Sequence, residues 1–136
     1  MDGIYSFAYA MLKETGQIKL PVNECEVCNA LGIDVGTYKD LHDILVTLKL
    51  WDFAQTVNGI SFYFKGVPYI SYSGKLSVLD RRAVIFHEVA HIYLKHIDVD
   101  GVLGKSNDPA KQDKIEAEAD AFSRAARMPA YLLFAE

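Results

Sequence analysis

A chain of 136 residues, 51% hydrophobic and 24% charged, is long enough for one domain, 1–136, with a real buried core, and its composition is not that of a disordered or fibrous protein. A net charge of -4 and the lack of any basic block give no reason to expect direct nucleic-acid binding. Residues 4–12 are apolar enough to imitate the hydrophobic region of a secretory signal, but no Lys or Arg precedes them and no stretch reaches the ~18–20 apolar residues that span a bilayer, so a cytoplasmic protein with no membrane segment is expected.

In chain order, Ile4, Phe7, Ala8, Met11 and Leu12 follow the spacing of one helical face, which predicts a helix over 2–15 stopped by Gly16. Asn23 is placed to cap a second short helix that ends at Gly32. Within it Cys25 and Cys28 have C-x-x-C spacing. No second pair completes a structural zinc site and no thioredoxin-like context follows, so both read as small buried hydrophobes. A brief strand is expected over 33–35 and a third helix over 38–48, with Leu41, Ile44, Leu45 and Leu48 inward.

The middle of the chain changes character. Asn58-Gly59, Lys65-Gly66 and Ser73-Gly74 punctuate two runs rich in aromatic and β-branched residues, 60–64 and 67–72, which predicts a hairpin. Ser77 and Asp80 have capping-box spacing and open a long apolar helix; Gly101 and Gly104 mark the loop after it. Asp108-Pro109 starts a last long helix over 109–127, broken at Met128-Pro129 and followed by a short apolar tail over 130–135. The order of helices, hairpin and helices indicates an α+β fold, with a small antiparallel sheet packed on the apolar helix.

That apolar helix carries His87-Glu88-Val89-Ala90-His91, an H-E-x-x-H pattern. Residues four apart share a helical face, so His87 and His91 can aim two imidazoles at one ion, while Glu88 lies about 100° around and can take a proton from water activated by it. Zinc suits imidazole ligands and lowers the pKa of bound water to about 7. Val84, Ile85, Phe86, Ile92, Tyr93 and Leu94 flank the motif without charge, and a helix apolar nearly all round is buried. Buried imidazoles and a carboxylate need partners.

Two histidines leave such a site one ligand short. His96, nine residues after His87, falls roughly 180° around a continued helix and reads instead as a C-terminal histidine near the helix dipole. The last helix offers Glu116 and Glu118, both beside its apolar stripe of Ile115, Ala119, Phe122 and Ala126, and periodicity alone does not choose between them. Asp120 lies one turn after Glu116, where it can accept the second N–H of a ligating histidine; this favours Glu116 as ligand and leaves Glu118 the better candidate for a solvated face. A further oxyanion donor, a tyrosine or histidine, is expected but not identified, and the strand over 69–72 is a candidate to receive an extended substrate.

With these residues in place the chain resembles the ImmA/IrrE family of small zinc metallopeptidases, over nearly its whole length. Pro21-Val22 and Leu31-Gly32-Ile33 look like the family's N-terminal segment, and Arg81-Arg82 ahead of Phe86-His87-Glu88-Val89-Ala90-His91 is similar to its active-site helix. Glu116-Ala117-Glu118-Ala119-Asp120-Ala121-Phe122, ending in Met128-Pro129, resembles its E-x-E-A-N-x-F-A…L-M-P element, with Asp120 in place of Asn. The resemblance implies a zincin-like fold, Glu116 as the gluzincin-type third ligand to Zn2+, and site-specific endopeptidase cleavage of a helix-turn-helix repressor of a mobile element or stress regulon. The alternative of another class is a zinc-dependent interaction module, a repressor partner or toxin–antitoxin component without significant proteolysis; the intact Glu88 counts against it.

Overall fold

The computed structural model describes residues 2–96 and 102–133; Gly101 and the end of the predicted tail lie outside them. Local signals set most of the boundaries. Asn23 opens α2 (Glu24–Ala30) by accepting from the Glu26 amide at 3.0 Å, and Ser77 opens α5 (Val78–Tyr93) by accepting from the Asp80 amide at 3.1 Å. Asp108 opens α6 (Pro109–Arg127), with Pro109 at the first helical position. Each cap satisfies an N–H that the helix leaves unpaired, worth about 1 kcal/mol. α1 (Asp2–Glu14) ends at Gly16, which takes a positive φ of 79°.

The expected helix over 38–48 is shorter and differently placed. Thr37 and Asp40 exchange side-chain-to-backbone bonds of 3.1 and 3.2 Å, and the Tyr38 amide bonds the Tyr72 carbonyl at 2.9 Å. Those bonds compete with helix at 38–41, so α3 runs only His42–Thr47. Lys49 then takes φ 61°, and a separate turn, α4 (Trp51–Ala54), follows. The first strand, β1 (Asp34–Thr37), sits later than the 33–35 expected.

Lys65 and Gly66, both at positive φ, form the two-residue turn between β2 (Gly59–Phe64) and β3 (Val67–Tyr72). These strands pair antiparallel, Ser61 opposite Ile70. The sheet is not wholly antiparallel, however: its order is β1-β3-β2, and β1 runs parallel to β3. A parallel pairing needs a long crossover, and α3, α4 and β2 supply it.

Strand alternation separates two cores. On one face Ile70 and Tyr72 join Phe86, Val89, Phe122, Met11 and Val27 from the surrounding helices. On the other, Phe62 and Tyr69 stack with ring centroids 5.5 Å apart, beside Leu45, Ala54 and Tyr38 of the α3–α4 region. α5 therefore lies between the sheet and α6, and α1 closes over α6. The result is an α+β fold with a small three-stranded mixed sheet. No helix among the described residues is long and apolar enough to cross a membrane.

The two cysteines part company. Cys28 is buried, and burial, aided by the charges of Cys25 and Glu24, pushes its thiol up to about 12; Cys25 is exposed. Only one of the two thus behaves as the expected small hydrophobe. A colorimetric thiol reagent at pH 8 is expected to titrate one thiol in the native protein and two in denaturant; two fast native thiols would contradict this burial. Phe122 is fully buried between the helices, so Phe122→Ala should lower unfolding free energy by about 3–5 kcal/mol in urea titration.

Candidate metal centre

The apolar stretch of α5 brings its three polar residues to one place. His87, Glu88 and His91 bring donor atoms within 4.8 Å of one another and could hold a metal ion. His91 is 2% exposed and Glu88 6%. Burying a carboxylate or imidazole without partners costs several kcal/mol, so what surrounds them decides whether the helix can be buried at all.

Those surroundings come from α6, β2 and the segment after α5. Glu116 of α6 sets Oε2 2.9 Å from Nε2 of His87 and Oε1 3.4 Å from Nε2 of His91. The two Nε2 atoms face each other at 3.1 Å. For bonds of about 2.0–2.1 Å to a tetrahedral zinc, neighbouring donors stand about 3.3 Å apart. The three distances lie close to that value. Two nitrogens and a carboxylate at this spacing form a donor triangle that could hold a cation. Proximity alone would group Glu88 with the two imidazoles, but Glu116 meets both of them directly, whereas Glu88 is engaged elsewhere.

Glu88 accepts from the hydroxyl of Ser61 on β2 at 2.7 Å. One hydrogen bond to a charged group contributes about 1.5–3 kcal/mol, less than full burial costs. Burial accordingly raises the Glu88 pKa above the ordinary carboxylate range, although His91, His87 and Ser61 oppose it. Glu116 goes the other way: burial would raise it, but the hydrogen bond from His87 and the closeness of the His91 ring outweigh that and hold it down to about 2. For His87, burial alone would lower the pKa; the Glu116 hydrogen bond and the charges of Glu88, Glu116 and Asp120 carry it upward.

Behind the triangle, Asp120 sets Oδ1 2.9 Å from Nδ1 of His87, where the sequence places it. Two other expectations change. Glu118 is not a solvated residue but bonds Nε2 of His96 at 2.9 Å, and His96 in turn meets Nδ1 of His91 at 2.9 Å. The expected placement of His96 on the far side of α5 requires that helix to continue to position 96. It ends at Tyr93, and Lys95 at φ 59° folds His96 back beneath His91.

The centre opens into a cleft of about 560 Å³. β3 cannot receive a substrate strand from it, because both its edges are already paired, to β1 and to β2. The edge beside the cleft belongs to β2. Ser61 offers its carbonyl outward to the Leu103 amide at 3.0 Å, so by antiparallel alternation the backbone groups of Gly59 also point outward, and Gly59 lines the cleft. The expected tyrosine or further histidine is not among the described residues of the cleft wall, where Asn58, Lys105, Gln112, Ser123, Arg124 and Arg127 are the polar residues besides the centre's own.

Sequence reasoning missed three supporting residues. Ser61 is one of many serines and is identified only by strand register. Gln112, one turn before Glu116 and hence legible, donates to Glu116 Oε1 at 3.1 Å and to the Gly104 carbonyl at 2.6 Å. Gly104, read only as a loop marker, lies on the His91 ring: a methyl group there would stand 2.5 Å from Cε1 and Nε2, and its φ of 82° disfavours any side chain. Gly104→Ala is therefore expected to weaken zinc binding, measured by chelator competition, by about 10–100-fold, the range for disturbing a ligand's support. Unchanged affinity in a folded variant would show that the ring tolerates displacement. No family model, curated protein or solved structure matches the chain, so its chemistry has to be read from these residues.

Proposed function

We propose that the protein is a zinc-dependent endopeptidase that cleaves a helix-turn-helix transcriptional repressor. The observation that carries the hydrolytic part is the placement of Glu88: a buried carboxylate beside two convergent imidazoles, with its pKa raised, at the inner end of an open cleft. In this reading His87, His91 and Glu116 hold the ion and Asp120 orients His87. Bound zinc supplies Lewis-acid chemistry, activating water and polarising the scissile carbonyl.

The chain's own residues do the rest. Ser61 occupies Oε1 of Glu88, which leaves Oε2 to accept a proton and return it to the departing amine. A raised pKa brings that carboxyl closer to the range where it can both take and give a proton near neutral pH. Gly59 at the open edge of β2 offers its backbone to an extended peptide across the cleft, and the lack of a side chain matters there: a methyl group would overlap Val84. The choice of a helix-turn-helix repressor rests on the resemblance to the ImmA/IrrE family carried by the H-E-x-x-H and E-x-E-A-D elements, and a cytoplasmic site of action is where such a repressor would be met.

Incubating the zinc-loaded protein with the repressor encoded beside it should yield discrete fragments. Glu88→Gln should lower that cleavage by about 10²-fold or more while zinc stoichiometry stays unchanged. A variant that cleaves normally removes Glu88 from the mechanism. A stable complex with no fragments from either protein would favour a zinc-dependent binding module instead.

A further inference from the structure

His96 takes no part in the donor triangle or in the proposed chemistry, yet it is 8% exposed and fully engaged. Its backbone amide bonds the His91 carbonyl at 2.9 Å, its carbonyl accepts from Gly104 at 2.9 Å, and its ring lies between His91 and Glu118. The direction of that side-chain chain follows from elementary donor chemistry. An ionised carboxylate only accepts, so Nε2 of His96 carries a hydrogen and donates to Glu118. A neutral imidazole then has only Nδ1 left as acceptor, and its partner, Nδ1 of His91, must be the donor. With its hydrogen on Nδ1, His91 presents a bare Nε2 lone pair to the place where His87 and Glu116 converge.

We propose that His96 and Glu118 form a positioning relay that fixes the tautomer and ring orientation of His91, so that its Nε2 faces the metal. Glu118 reaches a metal ligand it does not touch. α6 then supports both imidazoles: Glu116 and Asp120 act on His87 directly, and Glu118 acts on His91 through His96. Nδ1 of His91 meets the His96 ring rather than a carboxylate of α6, and the left-handed turn at Lys95 puts that ring there. Gly104 closes the other side of the ring, so His91 is held from front and back.

The inference rests on the metal-binding reading above, and two measurements keep the two apart. Long-range 1H–15N correlation spectra of the zinc-free protein report ring tautomers directly. The relay predicts His91 with its hydrogen on Nδ1 and His96 with its hydrogen on Nε2; the opposite tautomer at His91 overturns it whether or not zinc binds. Zinc titration of the wild type tests the metal reading alone. In the same titration His96→Phe, which keeps a ring but removes the acceptor, should lose about 10–100-fold in affinity, and His96→Asn, which restores an acceptor near the Nδ1 position, should recover most of it. Glu118→Ala, on a partly exposed side chain less critical to folding, should lose affinity in the same direction and mix the His91 tautomers. Wild-type affinity in both His96→Phe and Glu118→Ala would overturn the relay.

Discussion

An apolar helix that must be buried and that carries two imidazoles and a carboxylate on its way through the core poses the problem around which this structure is arranged. Each of those groups would cost several kcal/mol if left unpaired, an amount comparable with the whole net stability of a domain. Within α5 these three groups can act only on one another, because the other residues at the motif are apolar. The partners come from β2, from α6 and from the chain just after the helix: Ser61 for Glu88, Glu116 and Asp120 for His87, His96 with Glu118 for His91. Sheet, α5 and α6 are thereby fixed relative to one another by polar contacts as well as by the packing of Phe86, Val89 and Phe122.

The same arrangement divides the labour of two glutamates that stand beside one pair of imidazoles. Burial dominates at Glu88 and raises its pKa, while at Glu116 the hydrogen bond from His87 and the closeness of His91 outweigh burial and hold it at about 2. A carboxylate that stays ionised suits a cation; one whose affinity for a proton is raised suits proton exchange. Environments that push two titratable groups apart in this way are the usual basis for assigning their roles, and the proposed function follows that assignment.

The sequence was legible at most places where the signal was local, with the segment 38–41 and Gln112 as exceptions. Helix caps at Asn23, Ser77 and Asp108, the Lys65-Gly66 turn and the i, i+4 relations of His87 with His91 and Glu116 with Asp120 depend on residues within one turn of each other, and all appear where spacing places them. What else spacing missed was set by long-range pairing or by backbone handedness. The parallel docking of β1 on β3 closes β3 on both sides, which no pattern within residues 67–72 reveals. Ser61 meets Glu88 only through the register of β2 on β3 and the packing of the sheet on α5. Helical periodicity puts His96 on the wrong side because it carries α5 past its end; a single left-handed residue, Lys95, turns an apparent bystander into a neighbour of a candidate ligand.

In the proposed reading two imidazoles and the Glu116 carboxylate, and no sulfur, surround a zinc ion. X-ray absorption at the zinc edge of the loaded protein tests it most directly. The expected spectrum shows one zinc per chain with two imidazole ligands and only nitrogen or oxygen neighbours at about 2.0–2.2 Å, a shell that Glu88→Gln leaves intact and Glu116→Gln alters. A sulfur neighbour at about 2.3 Å, a third imidazole, or a shell disturbed by Glu88→Gln but not by Glu116→Gln would contradict it.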